Sequence, residues 1–336
     1  MRKRLSLLAA FLLLAAAVLM AGCGEKKEQL SPNSRAEFKL MLDFFPNADH
    51  AGIYAAQAAG YFKESGLDLK IRAPSDPSVP IKEVAAGRVD LAISYEPELL
   101  RAWAQGLHVI AVGALVQKPL TSVISLDKPA IQRASQLAGK KVGTAGIDYQ
   151  TAYLKTILAN AHVNPSSVHE QNVGFNLVPA LATHKVDAIL GGYWNYEGVQ
   201  LRLEKKHPHV LRIEKAGVPT YNELVLVANA DALDRDGMKI RRFIGALSRG
   251  VRDLKRNQSA AIQGLLKANP DLDPELQRAS VKVTLPAFLP PEGKPYGWQD
   301  PAQWEAFARW MKQNGILKTG SAQGAFTNQF LPGQGL

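Results

Sequence analysis

The amino-acid sequence predicts an α/β protein of two similar lobes, joined by two crossover strands and offering their strand ends to a shared cleft. Three observations carry this. Residues Phe38 to Gly66 read as strand, polar turn and helix, the unit whose strand-to-helix handover binds ligands in open α/β sheets. Two segments echo each other: Arg88-Val89-Asp90-Leu91-Ala92-Ile93-Ser94-Tyr95 and Lys185-Val186-Asp187-Ala188-Ile189-Leu190-Gly191-Gly192-Tyr193. Finally, two apolar, β-branched stretches, Leu120 to Leu126 and Glu223 to Ala228, each lie beside a domain-sized block and suit crossovers between lobes.

At 336 residues, 46% hydrophobic and 21% charged, the chain is long enough for two cores and is neither disordered nor an integral membrane protein. A formal charge of +10 allows attraction to anionic surfaces. No helix-turn-helix, zinc-finger or RNA-binding signature accompanies it, so no nucleic-acid partner is expected.

The chain opens with Arg2-Lys3-Arg4, an apolar run from Leu5 to Leu19, and Met20-Ala21-Gly22-Cys23. This is the pattern of an export signal, residues 1–23, ending in a lipobox with Met20 in place of the usual leucine. The apolar run is short for a membrane span of about 20 residues. Lipidation of Cys23 is expected instead, anchoring the chain at the outer face of a cell membrane through a polar linker, residues 24–36. Cys23 is the only cysteine, so no internal disulfide forms.

In the opening unit, Phe38 to Phe45 suits a buried strand and His50 to Ala59 an alanine-rich helix, with Asn47 or Asp49 as cap and Gly60 as its left-handed end. Leu67 to Arg72 alternates as a half-buried strand, Ile81 to Ala86 is a short helix and Leu91 to Ser94 a strand. Glu98 to Gln105 is helical and Val109 to Leu115 a strand. In the second block, Lys140 to Gly146 is strand and turn, and a helix runs from Tyr149 to Ala159 with Leu154, Ile157, Leu158 and Ala161 on one face. The expected limits are 37–122 with 228–336 for the first lobe and 123–227 for the second. Met238 to Lys255 is a long amphipathic helix. Asp300 caps another beginning at Pro301, whose Trp304, Phe307, Trp310 and Met311 repeat at core spacing. Tyr296, Trp298 and the segment Phe326 to Pro332 lie in loops within possible reach of the cleft.

Enzyme motifs are missing. No phosphate loop, nucleophile elbow, H-E-x-x-H or C-x-x-C occurs, and His207-Pro208-His209 is the nearest approach to a metal pair. No catalytic residue, metal or cofactor is expected.

Leu42-Asp43-Phe44-Phe45-Pro46-Asn47, followed by His50 and by Gly60-Tyr61-Phe62, resembles the opening signature of the NMT1/THI5-like proteins. Ile93-Ser94-Tyr95-Glu96-Pro97, Gly191 to Glu197 (GGYWNYE) and Phe326 to Pro332 agree with it, so the similarity spans residues 37 to 335. That family includes ThiY-type substrate-binding lipoproteins of ABC importers for thiamine pyrimidine precursors, and the fungal pyrimidine synthases. The resemblance implies the two-domain periplasmic-binding-protein fold of type II. It also implies capture of a formylaminopyrimidine or hydroxymethylpyrimidine by a monomer that hands it to an ABC permease.

A flat aminopyrimidine needs faces to stack on and an acceptor along its edge. Phe44, Tyr95, Tyr193 and Trp194 lie at expected strand ends, and each stacked ring contributes about 0.5–1.5 kcal/mol beyond burial. Glu197 can accept from the exocyclic amine and pair with a protonated ring nitrogen, a charge-assisted contact of about 1.5–3 kcal/mol; the resemblance places an acid of the Gly-x-Tyr-x-x-x-Glu segment there. Asn47 either reads a ring substituent or caps the helix, and His50 matches a catalytic histidine of the synthases but is a wall or capping residue in transport relatives. Gly143 and Thr144, opening a Gly-Thr-Ala-Gly turn before a helix, can hold an anionic group on backbone N–H groups or be a plain turn. The rival readings are the same module with riboflavin or another flat heterocycle, a synthase-like enzyme, and an adhesin or nucleic-acid binder whose binding would fall steeply with salt.

Overall fold

The computed structural model describes residues 35–76 and 78–333. Cys23, the segment 1–23 and residues 24–34 of the linker lie outside the described residues. Among the described residues no helix is long and apolar enough to cross a membrane.

The strands are β1 (Ala36–Met41), β2 (Leu67–Arg72), β3 (Leu91–Ser94), β4 (Val109–Val116), β5 (Thr121–Ser125), β6 (Lys141–Thr144), β7 (His169–Asn172), β8 (Ala188–Tyr193), β9 (His209–Arg212) and β10 (Leu224–Asn229). They form two five-stranded sheets with orders β2-β1-β3-β10-β4 and β7-β6-β8-β5-β9. Each sheet has three parallel strands followed by an antiparallel strand inserted between the third and the edge. The two lobes therefore repeat one plan.

The sequence echo has a structural cause. In the first lobe the Lys39 N–H donates to Asp90 Oδ2 at 2.7 Å and the Asp90 N–H to the Lys39 carbonyl at 2.9 Å. In the second, Lys141 N–H donates to Asp187 Oδ2 at 2.8 Å and Asp187 N–H to the Lys141 carbonyl at 2.8 Å. Each aspartate satisfies the backbone N–H of the lysine that lies one residue before the pairing with β3 or β8 begins, which fixes the register of that parallel pair.

The expected lobe limits need correction. They fall inside β5 and β10, yet Thr121 already pairs with Tyr193 of the second sheet and Leu224 to Val227 pair wholly within the first. A strand satisfies its backbone by staying in one sheet, so the chain crosses between lobes in residues 117–120 and 213–223 rather than in the strands.

The expected strand Phe38 to Phe45 stops at Met41, because Asp43 turns away to bind His50 and Tyr95. A 3₁₀ turn, Ala48–His50, then leads into the helix Ala51–Ala58, with Gly60 at φ 78°. The long helix Leu233–Arg256 lies so close to it that a Cβ on Gly250 would sit 2.3 Å from the Gly52 carbonyl oxygen. Phe243 stacks between Phe38 at 4.9 Å and Phe62 at 5.1 Å, and each such buried ring stabilises the lobe by about 1.5–3 kcal/mol. The helix Pro301–Gln313 is capped by Asp300, and its Trp304, Phe307, Trp310 and Met311 are buried. Phe326 pairs with the β4 residue Ala111 and stacks on Trp304. The C-terminal segment thus closes the β4 edge of the first sheet instead of reaching the cleft.

Candidate functional site

Between the lobes lies a cleft whose empty space, its solvent-open mouth included, is about 650 Å³. The loops after β1 and β3 supply Asp43, Phe44, Asn47, Asp49 and Tyr95 from the first lobe. The second lobe faces them with Tyr149 and Gln150 from the helix Asp148–Asn160, with Phe175 from the loop after β7, and with Tyr193, Tyr196 and Glu197 from the end of β8. Glu223, at the end of a crossing segment, lies between them.

Of the residues expected from the sequence, Phe44, Asn47, Tyr95, Tyr193 and Glu197 come together in this cleft. His50, Gly143, Thr144 and Trp194 do not line it. His50 is fully buried: its Nδ1 accepts the Asn47 N–H at 3.2 Å and its Nε2 lies 2.9 Å from Asp43 Oδ1. With Nδ1 accepting, Nε2 carries the proton and donates to Asp43, so both ring nitrogens serve the turn. Trp194 donates its indole N–H to the Pro119 carbonyl at 3.1 Å, and the Arg212 guanidinium lies 3.9 Å over its ring. Its ring is thereby used outside the cleft.

The first three residues of the glycine turn are committed to the lobe itself. A Cβ on Gly143 would meet Val186 at 3.2 Å and Val173 at 3.3 Å, so this glycine serves packing beneath the loop. Thr144 is buried in β6. The next N–H, that of Ala145, is taken by Gln150 Oε1 at 2.9 Å. Asn47 is similarly committed: its Oδ1 accepts from Asp49 N–H at 2.8 Å and its Nδ2 donates to the Phe45 carbonyl at 3.1 Å. It forms part of the wall while acting as the cap.

The walls are aromatic and the polar groups are acids. Phe44 meets Phe175 of the opposite lobe edge to face at 4.6 Å, and Phe45 approaches the same ring at 5.8 Å. Phe45 is 53% exposed, which sets these rings at the mouth. Tyr95 lies 6.5 Å from Tyr149, and from Tyr149 a run of rings through Tyr153 and Tyr221 to Phe307 supports the floor. Asp43, Asp49, Glu197 and Glu223 all line the cleft, and among the described residues no lysine or arginine does.

Each acid is held differently. The Asp43 Oδ2 accepts from Tyr95 at 3.2 Å. Burial raises the Asp49 carboxyl well above its usual range, and the nearby Asp43 charge raises it further. Glu223 accepts the Leu120 N–H at 2.6 Å, the Thr121 N–H at 2.8 Å and the Tyr221 hydroxyl at 3.0 Å, which joins the two crossing segments; burial raises its pKa against these donors. Glu197 Oε2 accepts the Tyr193 N–H at 2.6 Å. Burial pushes its carboxyl up to about 7, opposed by that N–H.

Tyr149, Gln150, Phe175 and Glu223 were not singled out by the sequence. For Phe175 the strand-end rule would have sufficed, but β7 reads His-Glu-Gln-Asn and carries no strand pattern. The bonds Glu223 accepts from Leu120 and Thr121 span about a hundred residues of sequence, so no local pattern announces its place in the cleft.

The family model described as NMT1/THI5 like matches residues 47–261. A Haemophilus influenzae protein named for thiamine biosynthesis is 36% identical over 84% of this chain and 89% of its own. A formylaminopyrimidine-binding protein of Halalkalibacterium halodurans is 33% identical over 91% of this chain and 93% of its own. A 4-amino-5-hydroxymethyl-2-methylpyrimidine phosphate synthase of Legionella pneumophila is 25% identical over 89% and 93%. Among solved structures, the alkanesulfonate-binding protein of Xanthomonas axonopodis superposes with a TM-score of 0.68 at 17% identity, covering 88% of this chain and 99% of that one; this likeness establishes the two-lobed binding-protein fold.

Proposed function

The chain belongs to the NMT1/THI5-like family, and from that premise we propose that it is an extracytoplasmic solute-binding protein that captures a small aminopyrimidine precursor of thiamine for an ABC permease. The observation that carries this reading is the pairing of aromatic walls with four acidic side chains and, among the described residues, no cationic one in one interlobe cleft. A sulfonate or phosphate placed there would find no lysine or arginine among the described lining residues to pair with. An aminopyrimidine would find stacking faces and an acceptor for its amine. The Halalkalibacterium relative, named for formylaminopyrimidine binding, supports the same ligand class.

In this reading Glu197 accepts from the exocyclic amine and shares one proton with the adjacent ring nitrogen, while Tyr95, Tyr149 and Tyr193 supply faces and edges. Phe44 and Phe175 close the mouth behind the ligand. The protein does no chemistry on it. His50, the residue matching the synthases' catalytic histidine, has both nitrogens committed to its own turn. Lipidation at Cys23 and hand-over to a permease complete the proposal. Calorimetric titration tests it, using formylaminopyrimidine and an alkanesulfonate as paired probes. Micromolar or tighter binding of the first with none of the second is expected; the reverse pattern overturns the reading.

A further inference from the structure

The turn that presents Glu197 also holds the two lobes together. Asn195, two residues before it, is fully buried. Its Nδ2 donates to Asp49 Oδ1 at 2.7 Å and to Thr284 Oγ1 at 2.7 Å, both on the first lobe. The Thr284 hydroxyl spends its own proton on the Ser280 carbonyl at 2.7 Å, so toward Asn195 it can only accept, which fixes the amide's orientation. The next residue, Tyr196, accepts from Gln277 Nε2 at 3.2 Å.

Gln277, Ser280 and Thr284 form one stripe of the helix Pro274–Phe288 and are each 0% exposed. A buried stripe facing a neighbouring lobe would ordinarily be apolar. An apolar stripe would weld the lobes shut, because parting them would expose oily surface to water. A polar stripe exchanges its partners for water when the lobes separate, so opening is cheap and closing is specific. Three further atoms of this junction, Asn195 Oδ1, Gln277 Oε1 and Ser280 Oγ, are buried with no hydrogen-bond partner among the described residues. Each of these atoms can bond to bulk water once the lobes part, as expected of a contact made to be broken.

We propose that Asn195 is a positioning residue, the latch that couples engagement of Glu197 to closure of the lobes. Asp49 sits at both ends of this coupling, since it lines the cleft and receives the Asn195 amide. One five-residue turn, Tyr193 to Glu197, both carries Glu197 into the cleft and seats Asn195 between Asp49 and Thr284, so a ligand that engages Glu197 holds the latch shut. The coupling to ligand rests on the reading of the cleft given above; the role in closure does not.

Small-angle scattering and stopped-flow kinetics on the mature chain test both halves. In ligand-free Asn195→Ala the radius of gyration is expected to exceed that of the wild type. Formylaminopyrimidine is expected to leave this variant about tenfold faster with an unchanged association rate. Thr284→Val, which removes one acceptor and keeps the shape, shows the same two changes at smaller size, and the double variant is less than additive because both act on one contact. Should Asn195→Ala fail to fold, Thr284→Val carries the test alone. Ligand-free scattering identical to the wild type overturns the latch whether or not the probe binds. Wild-type protein that ignores the probe while its ligand-free variant opens refutes the ligand assignment and leaves the latch standing. Opening without faster release refutes the coupling.

Discussion

The carboxyl ends of β3 and β8 occupy equivalent places in the two sheets, and both run Tyr then acid: Tyr95-Glu96 and Tyr193 to Glu197. Their acids have opposite fates. Glu96 starts its helix directly and points out of the cleft, where it accepts the Asn222 N–H and amide at 2.7 Å each and the Gln303 amide at 3.0 Å. Glu197 follows a three-residue turn that swings it back over Tyr193 and into the cleft. Burial raises both, Glu96 to about 8 and Glu197 to about 7. A perturbed carboxyl is therefore no guide to function in this chain; the lobe repeat with its acid turned inward is the one that places a carboxyl group in the cleft.

Substitution can break this contrast. Glu197→Ala is expected to weaken aminopyrimidine binding about 100-fold, the size of a charge-assisted contact of about 1.5–3 kcal/mol, while melting changes little. Glu96→Ala inverts the pattern. It strands the Asn222 and Gln303 donors at about 1–3 kcal/mol per group, so thermal unfolding shifts down while affinity stays within about twofold. Paired calorimetry and melting curves on the two variants measure this. Equal loss of affinity in both would dissolve the distinction.

Next in size is the pH dependence of affinity. In the proposed complex one proton is held between Glu197 and the ring nitrogen. Below about 7 the free carboxyl already carries that proton; above it, binding must take one up. Affinity is expected to be flat below that value and to fall about tenfold per pH unit above it, as titrations across pH would show. Stability follows the same direction. Folded Glu96, Glu98 and Glu197 keep their protons to about 8, about 7 and about 7 against an ordinary 4.5. The folded chain therefore binds more protons than the unfolded one through that window, and its stability falls as pH rises from about 4.5 to about 8. A melting temperature lower at about pH 8.5 than at about pH 5 is expected.

The smallest effect concerns the mouth. Phe175→Ala removes the ring that meets Phe44 at 4.6 Å, an edge contact of about 0.5–1.5 kcal/mol. Ligand release is expected to quicken several-fold in stopped-flow traces, with little change in melting.

Much of the scaffold was legible because it is written locally. Leu67–Arg72 and Leu91–Ser94 are strands at the expected limits, and the capped turn at Asn47 is a short-range device. The paired Asp90 and Asp187 echo because both do the same work at the foot of a sheet. The site was legible only in part. Strand-end reasoning finds Phe44, Tyr95, Tyr193 and Glu197, but it cannot say which way a side chain leaves its turn. Arg212 and Pro119 hold Trp194 outside, and Asp43 holds His50; both are tertiary contacts. Phe175 and Glu223 enter the cleft through a polar strand and a crossing segment, neither of which has a periodic pattern to read.

The most direct measurement is carbon-detected NMR of the glutamate carboxyl groups during a pH titration, with and without formylaminopyrimidine. The Glu197 resonance should titrate near 7 in the free protein and change when ligand is added, while that of Glu96 titrates near 8 and stays where it was. A Glu197 signal indifferent to ligand, or a Glu96 signal that moves in its place, would contradict the assignment.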